Sequence, residues 1–372
     1  MKISGIETIQ IVVPIAPDRM IVGARGPHDR SPFLIVRVRT DEGLEGLGEV
    51  SCTPRWSGED SVTARHVCDR YLEPVLLGQD PRDVERLTRT MTQAIEGHHF
   101  TKAAVEMALW DLLGKALGVP VYSLLGGLAR PGVRTKFSVA AAEPARAAEI
   151  ASWACAQGFG AMKVKVGTGL AGDLSRVAAV RSAIGDSVRL GVDANGGWSR
   201  AEAAAAVAPL AESDVAFIEQ PVAPRDLAGL ADVRRRASAP VVADESVGIP
   251  ADALDVVRAE AADVLSVYVG MAGGIAAARR AAAVASAAGL GWTIGSNLEL
   301  GIGLAAHIHF AVATPGLDDE RVPCDIISTF YYEDDILAAP LPIQAGWAEP
   351  PGGPGLGVQI DEEKLQRYRS DA

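Results

Sequence analysis

The chain is poor in cysteine. Its 372 residues hold four, Cys52, Cys68, Cys155 and Cys324, and no two form a CxxC pair. That argues against a zinc knuckle or a thioredoxin-like redox site, and it reads as a reduced, cytoplasmic chain. Long apolar runs are also missing. No stretch of about 18 uninterrupted apolar residues occurs, so no transmembrane span is predicted. The opening MKISGIETIQIVVPIAPDRM has no basic region followed by an apolar run and a small-residue cleavage site. It reads as an alternating strand rather than a signal peptide. Positive charge is in deficit, with 35 Lys and Arg against 47 Asp and Glu and a net charge of −12. Nonspecific binding to nucleic acid or an anionic membrane is therefore disfavoured. An anionic small substrate is still allowed, because a bound cation can reverse the local field.

What is present is a globular composition. Hydrophobic residues make up 48% and charged residues 22%, which argues against disorder. At about 150 residues per domain, the length suits one large domain plus a smaller one. The first part reads as strands at Ile6–Val13, Phe33–Arg39 and Leu44–Val50, with a turn at Asp41-Glu42-Gly43. Helical spacing follows from about Ser61. Thr101–Leu117 is a helix that stops at Gly118, with Pro120 beyond. Gly126-Gly127 and Pro131-Gly132 mark a boundary.

After that boundary, short apolar runs alternate with Ala-rich helical segments. Strands are predicted near Thr135–Val139, Ala161–Val166, Val188–Val192, Val215–Ile218, Val241–Ala243, Val264–Val267 and Gly291–Ile294. Repeated strand–helix units imply a parallel sheet, and seven or eight in about 200 residues suit a (β/α) barrel. The predicted fold class is α/β, a modified TIM-type barrel with an α+β capping domain. Residues 1–125 form the cap, completed by 331–372, and residues 126–330 form the barrel. The Pro/Gly-rich stretch from Pro340 to Gly357 is expected to run back over the first domain.

The predicted strands end on charged or polar residues. Lys165, Asp193, Glu219, Asp244 and Tyr268 are separated by 28, 26, 25 and 24 residues, one βα unit each. Strand C-termini of a barrel share one mouth, where active sites lie. Asp193, Glu219 and Asp244 would converge there, and three converged carboxylates repel one another unless a cation neutralises them. Oxygen ligands suit Mg²⁺, with Mn²⁺ as a substitute. Taken singly, each acid could equally be a solvated loop residue or a helix cap. Lys163 and Lys165 stand two apart, so both face one side of their strand. If that side is the interior, mutual repulsion and desolvation should lower a lysine pKa and make a general base.

These motifs resemble the enolase superfamily, in the muconate-lactonizing branch that includes mandelate racemase-like proteins. The resemblance covers nearly the whole chain. It rests on ALWDLLGKALGVPVYSLLGG at 108–127, Lys163-Val164-Lys165, VDAN at 192–195, IEQP at 218–221, ADES at 243–246 and AGGI at 272–275. It implies that Asp193, Glu219 and Asp244 bind Mg²⁺ and that Lys165 is the base, with Lys163 in support. It implies abstraction of the proton α to a substrate carboxylate and stabilisation of an enediolate. Asn195 and Glu245 are expected beside the ligands.

The chain departs from the branch at one position. Members that racemise or epimerise usually carry a second lysine at the end of the sixth strand, where this chain has Tyr268. Tyrosine, with an ordinary pKa near 10, is a possible acid but a poor base. One-base chemistry is therefore expected, a muconate-cycloisomerase-like or dehydratase/lyase reaction on a small carboxylic acid. The alternatives are a racemase or epimerase using Tyr268 as the opposite-face acid, and a non-catalytic binding protein on the same fold. Glu299, after the seventh strand, and Asp325, where an eighth should end, are further acid or hydrogen-bonding candidates. By resemblance, cap loops at about 15–30 and 51–60 choose the substrate, which makes Arg25, His28, Arg55 and Trp56 specificity candidates. Gly273-Gly274 reads either as an anion-binding helix start or as a tight turn. His307 and His309 do not share a helix face and read as packing. A homo-oligomer is expected.

Overall fold

The computed structural model describes residues 1–371. The cap begins with a three-stranded antiparallel sheet: β1 (Ile3–Pro14), β4 (Arg30–Thr40) and β5 (Glu45–Ser51), in the order β1-β4-β5. Between β1 and β4 lies a hairpin, β2 (Ile21–Gly23) and β3 (Gly26–His28), where the sequence had suggested only a polar loop. The apolar run of β4 follows from burial on both faces. Leu34, Val36 and Val38 pack toward the cap helices, while Phe33 and Ile35 join the larger core shared with the barrel. The longest helices of residues 1–125 are Ser61–Val67, Val84–Ala94 and His99–Leu117. The last ends at Gly118 in the left-handed conformation, as its sequence predicts. It lies directly on β5. A Cβ on Gly48 would strike the Ala104 carbonyl, so the small Gly-Ala contact is what lets helix and strand meet.

The second unit is a parallel seven-stranded sheet with helices between its strands. In spatial and chain order the strands are β6 (Phe137–Val139), β7 (Ala161–Lys165), β8 (Arg189–Asp193), β9 (Phe217–Glu219), β10 (Val241–Ala243), β11 (Val264–Val267) and β12 (Gly291–Ile294). Residues 322–325 bridge its two edges. Cys324 N–H donates to the Arg134 carbonyl and Asp325 N–H to the Ile294 carbonyl, at 2.9 Å each. The enclosed interior is the one the strand–helix alternation predicted. Lys165, Asp193 and Glu219 are direct register neighbours on β7, β8 and β9, which is why equal spacing in sequence becomes proximity in space.

Two buried cap carboxylates dock on barrel helices. Glu106 accepts the N–H groups of Ile275 (2.8 Å) and Ala276 (2.9 Å) at the start of helix Ile275–Ala287. Glu49 accepts those of Leu300 (2.7 Å) and Gly303 (3.0 Å), at the start of helix Gly301–Ala313. Orphan helix N–H groups and the helix dipole favour a carboxylate there. Gly273-Gly274 is therefore no anion site. A Cβ on Gly274 would lie 2.5 Å from the Glu106 carboxyl carbon, and that helix start is filled by the chain itself.

The C-terminal stretch takes a longer route than expected. Trp347 and Ala348 first pair with Arg134 and Val133 at the entry to the barrel. Only then does Leu356 N–H donate to Asp111 of the long cap helix, at 2.8 Å. The helix Glu362–Tyr368 then leads back to β1, where Arg369 bridges Ile11 and Ser370 N–H donates to the Gln10 carbonyl. His307 and His309 are fully buried, as expected of packing residues. All four cysteines are free. Among the described residues, no helix is long and apolar enough to cross a membrane.

Candidate active site

The strand ends and the cap loops enclose a cavity of about 390 Å³, a size that suits a small-molecule site. From the barrel it is lined by Ser138, Lys163, Lys165, Asp193, Asn195, Asp244, Tyr268 and Asp325. From the cap come Arg25, His28, Arg55 and Trp56, all four of the predicted specificity candidates. Glu299 does not line it. Its carboxylate turns onto its own loop, accepting from Ser296 Oγ (2.6 Å) and Asn297 N–H (3.0 Å).

Asp193, Glu219 and Asp244 are buried, and each offers one carboxylate oxygen within 4.8 Å of the others. Glu219 Oε2 and Asp244 Oδ1 have no hydrogen-bond partner. Buried polar atoms are rarely left so, and a set of hard oxygen donors suits Mg²⁺ or Mn²⁺. The residues therefore fit a divalent cation. Burial pushes Glu219 up to about 8, with Lys163 opposing and Asp193 adding. Burial does the same to Asp244, to about 8, helped by Glu245 and Asp193. Asp193 goes the other way, because Lys165 and Lys163 overcome its burial.

The lysines differ. Lys163 Nζ lies 2.5 Å from Glu219 Oε1 and 2.8 Å from Asp325 Oδ2. Burial opposes its charge, but Asp325, Glu219, Asp193 and Asp244 outweigh burial and hold its pKa well above the ordinary value. The expected lowering by a neighbouring lysine thus fails for Lys163, because four carboxylates surround it. Lys165 Nζ donates to Asp193 Oδ2 (2.6 Å) and Asn195 Oδ1 (2.9 Å). Its side chain is 15% exposed against 4% for Lys163, so Lys165 is the more accessible of the two lysines that line the cavity.

Asn195 sits in the left-handed region at φ 44°, which asparagine tolerates. There its Nδ2 donates to Glu245 Oε1 (3.0 Å), which also accepts from Trp56 Nε1 (3.2 Å), and Arg25 Nη2 lies 3.4 Å from the same oxygen. A continuous line thus runs from two cap residues through Glu245 and Asn195 to Lys165. Tyr268 is buried, lines the cavity beside Asp244 and packs on Trp56 with centroids 5.2 Å apart. Burial pushes its phenol well above the ordinary value, with Asp244 and Glu219 adding. Sequence reasoning gave no role to Gln220 or Lys136. Gln220 Oε1 accepts from the N–H groups of Asp244 (3.0 Å) and Ser246 (3.2 Å), tying two strand ends together. Its place in IEQP, directly after a ligand candidate, was the available signal.

Residues 6–126 match the model of the mandelate racemase / muconate lactonizing enzyme N-terminal domain, and residues 145–364 match the enolase C-terminal domain-like model. The chain belongs to the enolase superfamily. Within this superfamily it is 33% identical to muconate cycloisomerase 1 of Rhodococcus opacus, over 99% of this chain and 98% of that protein. It is 32% identical to the L-Ala-D/L-Glu epimerase of Bacillus subtilis, over 96% and 97%. The structure of muconate lactonizing enzyme from Pseudomonas fluorescens, complexed with muconolactone, superposes with a TM-score of 0.95 at 32% identity, covering 99% of both chains.

Proposed function

We propose that this enolase-superfamily enzyme moves a proton between Lys165 and the carbon α to a substrate carboxylate, on one face only. The overall reaction is a cycloisomerisation of the muconate-cycloisomerase type, or a related elimination, on a small carboxylic acid. One observation carries the reading: an accessible lysine and a buried acid triad stand on neighbouring strand ends, while the sixth strand ends in Tyr268. Asp193, Glu219 and Asp244 would hold the divalent cation. When bound, that cation offsets the negative charge that develops on the substrate carboxylate as the α C–H bond breaks.

The remaining roles belong to side chains. The C–H electron pair stays with the substrate, and its proton passes to Lys165 Nζ. Asp193 Oδ2 and Asn195 Oδ1, which already accept from Nζ, stand where they would hold the resulting ammonium. In the cycloisomerase direction the same ammonium returns its proton to the α carbon. Lys163 and Asp325 supply fixed charge beneath the substrate. Arg25, His28, Arg55 and Trp56 close the mouth and select what enters. Tyr268 has a raised pKa, from burial and the nearby Asp244, which disfavours it as a second base and so disfavours the epimerase reading. The accessible Lys165 and intact triad likewise disfavour a merely binding protein. In this division of labour, residues 1–125 with 331–372 are the cap, and 126–330 the catalytic barrel. The assembly is a homo-oligomer, which light scattering measures.

Incubation with Mg²⁺ and a panel of small carboxylic acids in D₂O, followed by NMR, tests the reading. The expected result is Mg²⁺-dependent deuterium at the α carbon, or a cyclised or eliminated product, with configuration retained. Lys165→Ala should abolish both. Inverted product, or no Mg²⁺-dependent change with any acid, refutes the proposal.

A further inference from the structure

Lys136 is fully buried and touches no part of the cavity. It precedes β6, whose residues Phe137 and Val139 face the helix layer and the main core. Alternation then turns Lys136 and Ser138 inward. Ser138 reaches the cavity, and Lys136 lies deeper, over the apolar floor formed by Phe217, Val242, Val264 and Val322. Its ammonium is 5.7 Å from the Phe217 ring centre. Gly191 makes room for that ring, since a Cβ there would collide with it.

A buried ammonium is unfavourable unless paired. Here Nζ donates to the Pro323 carbonyl (2.5 Å) and lies 3.0 Å from Asp325 Oδ2. The same Oδ2 receives Lys163 at 2.8 Å, while Asp325 Oδ1 has no partner. Lys163 in turn is 2.5 Å from Glu219 and 3.4 Å from Asp193. One chain of alternating charge therefore runs Lys136, Asp325, Lys163, Glu219. An apolar side chain could fill the place above the floor, so packing does not explain a lysine there.

We propose that Lys136 is a positioning residue: it shares Asp325 with Lys163 and thereby sets how much of Lys163 is left to compete with a cation for the acid triad. The inference rests on the metal reading of Asp193, Glu219 and Asp244. Without Lys136, Asp325 draws on Lys163 alone, Glu219 is released, and the interior loses one positive charge. A divalent cation should then bind more tightly. Neutralising Asp325 does the reverse, because Lys163 turns wholly to Glu219 and Lys136 is left uncompensated.

The test is titration of the full-length, metal-free protein with Mn²⁺ alone, by calorimetry or electron paramagnetic resonance. Lys136→Met should tighten binding and Asp325→Asn weaken it, each on the order of three- to tenfold. The double variant should stay weaker than the parent, because Lys163 still lacks Asp325, but bind better than Asp325→Asn, since the uncompensated Lys136 is gone. Simple damage to the barrel would weaken binding in every variant. Mn²⁺ binding by the parent that Asp244→Asn abolishes, with Lys136→Met unchanged or weaker, overturns the role of Lys136 but leaves the metal reading standing. No Mn²⁺ binding by the parent overturns the metal reading. The melting temperatures of the parent, Lys136→Met, Asp325→Asn and the double variant then decide the Lys136–Asp325 pair. The double variant should lose clearly less than the two singles combined, and additive losses overturn the pairing.

Discussion

Replacing Glu106 by Gln should make the stability gap between parent and variant depend on pH. Glu106 projects from the long cap helix and is fully buried. It accepts Ile275 N–H, Ala276 N–H and Trp110 Nε1 at 2.8 to 2.9 Å. Burial raises its carboxyl from the ordinary 4.5 to about 7, although all three donors pull it down. A shift of that size corresponds to about 3 kcal/mol between the two protonation states. The sign follows from proton counting. Between pH 4.5 and 7 the folded state holds a proton that the unfolded state has lost, so stability falls as pH rises through that window and is level above it. Glutamine carries no such proton. Its amide group also faces a helix N–H it cannot accept, so the variant should be less stable at low pH, where the parent is neutral. With an unfolding entropy near 2.1 cal/mol/K per residue, about 3 kcal/mol is a change of roughly 4 °C in the melting gap. Scanning calorimetry of both proteins from pH 4.5 to 8 reads it. A gap that stays constant over that range refutes the account of Glu106 as a carboxylate held against its burial.

Other outcomes follow from the site. Trp56→Phe keeps the aromatic contact with Tyr268 but removes the donor to Glu245. It should slow Lys165-dependent deuterium exchange about tenfold, the worth of one charge-assisted hydrogen bond, with Mn²⁺ affinity unchanged. An equal loss of metal binding would mean that the line through Glu245 and Asn195 is not what the residue supports. Gly295→Ala should cost about 1 to 3 kcal/mol, because a Cβ there meets the Tyr268 ring. Adding Tyr268→Ala should recover part of that loss in a chemical-denaturation series, and a further additive loss would place the strain elsewhere.

The barrel was legible because its signal is periodic. Val241–Ala243, Val264–Val267 and Gly291–Ile294 lie as the sequence placed them, and the carboxylates at successive strand ends carry their own register. Glu299 stands outside the cavity lining because proximity to a strand end does not say where a side chain turns, and four residues of loop intervene between Ile294 and Glu299. Lys136 was missed for a different reason. A lysine in a short strand looks exposed until its neighbours Phe137 and Val139 are known to face outward. The docking of Glu106 on Ile275 joins residues 169 apart, and no local pattern encodes such a contact. The lowered pKa failed likewise at Lys163, because the four carboxylates that decide it come from four other segments than its own strand.

The return of the chain to β1 has a consequence for biosynthesis. β1 is an edge strand, and its outer side is met by Arg369 at Ile11, Ser370 at Gln10 and Tyr332 at Ile15. These partners leave the ribosome more than 300 residues after the strand they cover. Throughout synthesis, one edge of the cap sheet is a free template for pairing with another nascent chain. Truncation before residue 369 should therefore show first as aggregation during expression, while the barrel mouth and its charged residues remain encoded in full.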